Sequence, residues 1–219
     1  MNALTFSFCG ETLAAKPSGA LYWKAERLLV VSDLHLGKSE RIARRGGALL
    51  PPYDTEETLA RLSVDIRDTA PATIMCLGDS FDDLAASEAL SDRHQDTIAS
   101  LQAGRRWLWL EGNHDPGPVD LGGEHLGQHR IGPFTFRHIA EPDTEPGEIS
   151  GHYHPKARLR RTARPCFMAD ATRLILPAYG CYTGGLDWTT PVLRDLFEDI
   201  AIAYLTGPQV LAVPVPKAA

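Results

Sequence analysis

Five short segments carry side chains that bind divalent cations. They are Asp33-Leu34-His35, Gly78-Asp79, Gly112-Asn113-His114-Asp115, His138, and Gly151-His152-Tyr153-His154. Carboxylates, an amide oxygen and imidazoles suit Mn, Fe or Zn, and no thiolate joins them. Asp33 with His35, and His152 with His154, are spaced by two; on an extended segment such residues point to one side and can share a cation. A carboxylate such as Asp79 has two oxygens and can bridge two ions. Five of the eight histidines fall in these segments. His94, His125 and His129 do not and read as surface or locally satisfied residues. Ligands scattered along a chain but gathered at one edge are what a two-metal hydrolase requires.

The elements around the segments supply such an edge. Apolar runs at residues 27–32, 73–77 and 107–110 precede the first three segments and read as buried strands. The ends of strands in an open sheet converge on one edge. Further strands are expected at residues 4–8, 20–25, 134–137, 147–150, 157–161, 166–169 and 173–176. Helices are expected at 39–45, ended by Gly46-Gly47, and at 91–101, ended by Gly104. Another follows Asp54, which with Glu57 resembles an N-cap signal; Leu59, Leu62 and Ile66 then share one face. The segment 196–204 fits helix or strand. Strand–helix alternation followed by short strands indicates a mixed α/β sandwich with two sheets.

Composition sets the wider bounds. The chain has 219 residues, 43% hydrophobic and 23% charged, which suits one soluble globular domain spanning residues 1–219. No apolar run reaches the roughly 20 residues a membrane span needs. The N-terminus lacks the basic and apolar regions of a signal peptide, so a cytoplasmic location is expected. Cys9, Cys76, Cys166 and Cys181 form no C-x-x-C pair, which argues against structural zinc and a disulfide framework. The net charge of -6 argues against nucleic acid. Two bound divalent cations would offset much of it, at the site itself.

Basic side chains lie near the metal segments. Residues 156–161 as a strand put Lys156, Arg158 and Arg160 on one face, a cationic stripe beside His154. Arg41, Arg44 and Arg45 fall within one helical turn. Both groups can be phosphate-backbone contacts or plain solvated faces. Tyr53, Tyr153, Tyr179 and Tyr182 lie in loop-like segments and could stack on bases or simply pack.

The ordered set D-x-H, G-D, G-N-H-D, H and G-H-x-H resembles the calcineurin-like metallophosphoesterase superfamily. Longer matches narrow the likeness: Arg45-Gly46-Gly47, Leu50-Pro51-Pro52-Tyr53-Asp54-Thr55, Gly78-Asp79-Ser80-Phe81, Ser150 to Lys156, Arg164-Pro165-Cys166-Phe167 and Leu176 to Gly180. They resemble the ligase-associated DNA damage response endonucleases (PdeM-type). The resemblance implies a four-layer αββα sandwich with two mixed β-sheets and a site for two divalent ions, manganese foremost, with iron or zinc as alternatives. Asp33, His35 and His154 would bind one ion and Asn113, His138 and His152 the other, with Asp79 bridging. His114 would act as general acid, held by Asp115. Asp82 stands where nucleases of the superfamily often carry histidine, and would touch substrate or orient a ligand or water. DNA is the implied partner, with a DNA ligase and helicase in association.

The leading reading is therefore a metal-dependent phosphodiesterase or endonuclease acting on DNA in repair. The alternative enzyme hydrolyses a small nucleotide or cyclic nucleotide ester. A third class, a silent scaffold, would have lost His114 or the bridging carboxylate, and both are present.

Overall fold

The structure, a computed structural model, describes residues 3–47, 50–159, 161–198 and 200–216. The chain starts with an antiparallel meander, β1 (Leu4–Phe8), β2 (Glu11–Ala15), β3 (Leu21–Trp23) and β4 (Leu28–Val31). It then alternates: α1 (Lys38–Arg44), α2 (Asp54–Thr69), β5 (Thr73–Leu77), α3 (Leu84–Glu88), α4 (Asp92–Gln102), β6 (Arg106–Leu110) and β7 (Glu124–Leu126). Strands follow: β8 (Gln128–Ile131), β9 (Phe134–Arg137), β10 (Glu148–Ser150), β11 (Lys156–Leu159), β12 (Thr162–Ala169) and β13 (Arg173–Ile175). The chain closes with α5 (Pro191–Arg194), β14 (Ile202–Leu205) and β15 (Leu211–Pro214).

Two mixed sheets result. The first runs β1-β2-β3-β4-β5-β6-β7, with β4 to β7 parallel. The second runs β15-β14-β12-β13-β10-β9-β8, with β9, β10 and β13 parallel and β11 paired to β12. The fold is an αββα sandwich of two mixed sheets whose outer layers are unequal. Leu59, Leu62 and Ile66 of α2 and Ile98 and Leu101 of α4 cover one outer face, packing on Val31, Ile74 and Trp107. The other outer face, with Met168, Ile175 and Leu205, is closed by the short α5 and the residues around Trp188 and Phe197. None of the described helices is long and apolar enough to cross a membrane.

The central strands are legible because they are buried on both faces. Leu28–Val31 is buried throughout and β5 and β6 nearly so, giving the continuous apolar runs of parallel strands. Between the sheets, Phe134 packs against Trp23 (centroids 4.8 Å), Phe8 (5.5 Å) and Phe136 (6.2 Å), and Phe6 of β1 stacks on Tyr204 of β14 at 4.3 Å. These aromatic contacts join one sheet to the other.

Asp54 is not the cap of α2. Tyr53 occupies that position, and Asp54 instead accepts from the Ser39 amide (3.2 Å) and hydroxyl. Other α2 side chains face the same way. Thr55 accepts from the Gly37 amide, Thr58 from the Cys181 amide, and Asp65 from the Tyr179 hydroxyl at 2.8 Å. One face of α2 thus pins the loops that follow β4 and β13. Of the segment 196–204, the described residues before Ile202 are non-helical, and Ile202 to Tyr204 belong to β14.

Replacing Phe134 by Ala removes the ring on which the inter-sheet aromatics converge. Denaturant unfolding should show a loss of about 3–5 kcal/mol; a loss below about 1 kcal/mol would mean that the sheets are joined elsewhere.

Candidate metal centre

All five candidate segments follow the carboxyl ends of parallel strands. Asp33, Asp79 and Asn113 leave β4, β5 and β6, neighbours in the first sheet; His138 and His152 leave β9 and β10, neighbours in the second. The two sheet edges meet there. The exits of β4 and β5 remain side by side past the strands, with N–H donation from Asp33 to the Gly78 carbonyl (3.2 Å), from His35 to Asp79 (2.9 Å) and from Leu36 to Ser80 (2.9 Å).

The local geometry departs from the extended one expected of D-x-H and H-x-H. Asp33 (φ 53), His35 (φ 45), Asp79 (φ 47), His152 (φ 68) and His154 (φ 46) all lie in the left-handed region. This conformation is rare for residues with a Cβ and is retained where the surroundings enforce it. Each pair converges through left-handed turns and not by strand alternation. Two glycines make the approach possible. A Cβ on Gly78 would stand 2.6 Å from the His138 ring, and one on Gly151 would stand 1.7 Å from Ser32 Oγ.

Two clusters emerge. In one, His154 Nε2 lies 3.1 Å from Asp33 Oδ1 and 3.4 Å from His35 Nε2. In the other, His138 Nε2 lies 3.0 Å from Asn113 Oδ1, 3.3 Å from His152 Nδ1 and 3.4 Å from Asp79 Oδ2. Atoms that share a cation at about 2.1 Å, at tetrahedral or octahedral angles, stand roughly 3.0–3.4 Å apart. Both clusters could hold one. A third grouping, His35, Asp82 and His114, is of another kind. There His35 uses Nδ1, the nitrogen turned away from His154.

The surrounding groups fix these rings. His35 Nδ1 stands 2.8 Å from Asp82 Oδ1, and the His138 Nδ1–H donates to the Leu77 carbonyl at 2.7 Å. In each ring the other nitrogen is left for the cluster, the usual arrangement of a metal-binding histidine. Asp33 Oδ2 accepts from Ser32 Oγ (2.5 Å) and the His152 amide (3.0 Å), leaving Oδ1 toward His154. Burial raises the Asp33 carboxyl, yet His154 and Ser32 outweigh it and hold it below its ordinary value. Asp79 behaves alike: burial opposes, His138 and the His114 amide prevail, and the carboxyl falls to about 2. Burial pulls His138 down, while Asp79 and Asp33 lift it to about 8. A proton and a cation therefore compete for His138 Nε2.

Asp82 is fully buried, which removes it as a substrate contact. Besides His35 it binds Lys38 Nζ (3.2 Å) and Arg41 Nη1 (2.7 Å), and these partners overcome burial to hold its carboxyl well below the usual range. Asp115 does not hold the His114 ring. Its oxygens accept the amides of Asp79 (2.9 Å), Gly112 (3.0 Å), Ser80 (2.7 Å) and Phe81 (3.2 Å). Burial lifts its carboxyl to about 6, the Asp79 charge adding to the lift and the N–H donors opposing it. The His114 Nδ1–H donates instead to the Asp82 carbonyl at 2.8 Å, leaving Nε2 4.0 Å from Asp79 Oδ2.

The basic residues are mostly engaged. Lys156 Nζ donates to the Thr183 carbonyl, and Arg158 lies 3.5 Å from Asp187; Arg160 lies outside the described residues. Arg45 is exposed and pairs with Asp83 at 3.3 Å. Of the tyrosines, Tyr179 is fully buried and Tyr153 packs on the core, leaving Tyr53 and Tyr182 exposed. Sequence reasoning passes over Ser32 and Lys38. The only signal for either is its place beside D-x-H.

A family model described as calcineurin-like phosphoesterase matches residues 26–202. No curated protein matches the chain. Among solved structures, the crystal structure of Pseudomonas putida nuclease MPE is similar, with a TM-score of 0.78 and 29% identity. The likeness covers 97% of this chain and 100% of that one.

The bridging role expected of Asp79, which stands in the second cluster, generates a prediction. Asp79→Asn removes its charge while keeping its size. Elemental analysis should show reduced cation content at both clusters; two full equivalents per chain would show that Asp79 serves neither.

Proposed function

The chain belongs to the calcineurin-like phosphoesterase family and is a metal-dependent hydrolase of phosphoester bonds; we propose that it uses two divalent cations to cleave phosphodiester bonds of DNA. The carrying observation is the pair of clusters at the joined sheet edges. In this reading Asp33, His35 and His154 hold one cation, Asn113, His138 and His152 the other, and Asp79 lies between them. The donor set suits manganese, iron or zinc. Bound there, the cations supply Lewis acidity, which activates water and neutralises charge on phosphoryl oxygens.

The chain's own groups supply the rest. The Asp82 carbonyl orients His114, whose Nε2 is at the mouth of the site and gives a proton to the departing alkoxide. Asp82 keeps His35 turned toward its cluster. Asp115 holds the backbone of Asp79, and so the spacing of the two clusters. DNA as substrate is supported by the likeness to a nuclease over nearly the whole chain. Motif resemblance to the ligase-associated endonucleases supports a place in repair, in the cytoplasm, beside a ligase and a helicase. A small nucleotide ester would use the same centre and is the second reading.

The test is turnover with Mn of bis(p-nitrophenyl) phosphate against p-nitrophenyl phosphate, followed by plasmid and oligonucleotide DNA. The diester should be preferred and DNA cut. Intact DNA beside rapid hydrolysis of a cyclic nucleotide would favour the second reading. His114→Ala should lower DNA cleavage by roughly 10²- to 10⁴-fold with little change in metal content. A p-nitrophenyl leaving group, which needs little protonation, should recover much of that loss. Loss of metal instead would make His114 a ligand.

A further inference from the structure

A cavity of about 540 Å³ opens beside the second cluster and shares Asn113 and His138 with it. Its volume is in the range of small-molecule sites. The walls are mixed. Glu111 and Gln128 line it with a carboxylate and an amide, groups that pair with base edges. Ile139, the residue after His138, lines it too and is 42% exposed, an apolar side chain at the border of a polar centre. The guanidinium of Arg137 is also in the wall but is tied to Glu141 and lies 3.7 Å from Glu148. With Glu111 added, the walls carry no surplus of positive charge, so they do not suit a second phosphate. They suit an uncharged sugar and base.

We infer that this cavity is a nucleoside subsite for the group that stays on the phosphoryl centre when the ester is cleaved. The inference rests on the diesterase reading above. The side is set by His114. Its ring packs edge-on to His35, at 5.2 Å between centroids, whereas the cavity borders His138 and Asn113. The leaving alcohol goes to the His114 side and the retained nucleoside to the cavity. The sugar and base rest against Ile139, and the base edge meets Glu111 and Gln128.

The probes are three p-nitrophenyl diesters: methyl p-nitrophenyl phosphate and the p-nitrophenyl esters of thymidine 5′-phosphate and thymidine 3′-phosphate. All share one leaving group and differ in what is retained. At least one thymidine ester should exceed the methyl ester in kcat/KM by roughly tenfold or more. Ile139→Ala removes the apolar wall at an exposed position. Gly127→Leu obstructs the cavity; a Cβ at Gly127 meets nothing nearer than Glu111 Oε2 at 4.0 Å, and its φ is not positive. Each should cut the thymidine-over-methyl ratio by roughly fivefold to tenfold. If Gly127→Leu proves unfolded by its melting curve, Ile139→Ala carries the test alone. Equal kcat/KM for all three diesters in the unaltered chain, or an unchanged ratio in folded variants, overturns the subsite. DNA cleavage is scored separately. A cavity-dependent thymidine advantage with DNA left intact sinks the nuclease reading and keeps the subsite; DNA cut with no such advantage does the reverse.

Discussion

Four backbone N–H groups from two neighbouring strand exits end on one carboxylate, that of Asp115, and the centre hangs from this contact. The donors are Asp79, Ser80 and Phe81 after β5 and Gly112 after β6. Hydrogen bonds to a charged acceptor contribute about 1.5–3 kcal/mol each, and a buried N–H left without a partner costs as much. The consequences run outward in order. Asp79 is fixed in its left-handed turn. The chain beyond it is fixed as far as Asp82, whose carboxylate turns His35 and whose carbonyl turns His114. One buried acid therefore sets Asp79, the orientation of His35 and the orientation of His114.

Strain is the counterpart of this rigidity. Five candidate ligands sit at positive φ, a conformation costing about 1–3 kcal/mol for each residue with a Cβ. Nothing in their side-chain packing requires it. The parallel hydrogen bonding between the exits of β4 and β5, and the absent side chains of Gly78 and Gly151, impose it from outside. The rigid part of the molecule is the pair of parallel strand sets with the aromatic contacts between them, and the strain sits at their exits. A charge cluster of this kind, with Asp33, Asp79, Asp82 and Asp115 all buried, also repels itself unless positive charge is nearby.

The central strands were legible because burial on both faces leaves a plain mark, and the clustered residues stood out because carboxylates, an amide and imidazoles follow those runs. Residues 73–77 and 106–110 show it: an apolar run, then a candidate ligand. The geometry between ligands left no such mark. The spacing of Asp33 and His35 suggests alternation on a strand, but the peptide turns left-handed, and no residue preference signals that. Asp115 reads as a partner of its neighbour His114; three of the four amides it accepts belong to a segment 34 to 36 residues earlier, a contact created by parallel pairing. Edge strands were equally silent. Glu124–Leu126 and Gln128–Ile131 contain Glu, His, Gln and Arg and set only Leu126 and Ile131 against the core, since an edge strand need bury little. The short α5 hides for the opposite reason, because four residues are too few to display a helical period.

The charge around the centre has a consequence for how substrate is drawn in. Lys38 and Arg41 are spent on Asp82, Arg44 and Arg45 on Asp83, and Arg158 on Asp187, while Lys156 donates to a carbonyl. Of the side chains that read in sequence as basic patches, Arg41, Arg44, Arg45 and Arg158 are, in the fold, halves of ion pairs. With a net charge of -6 the protein as a whole repels a polyanion. On the nuclease reading, attraction for phosphate must then come chiefly from cations held at the two clusters. Binding and chemistry would depend on the same small area, and the cavity beside His138, which carries no surplus of positive charge, would add contact without adding attraction for phosphate. A protein built in this way selects a phosphodiester by what fits across the metal centre, and gains little from the length of the chain that carries it.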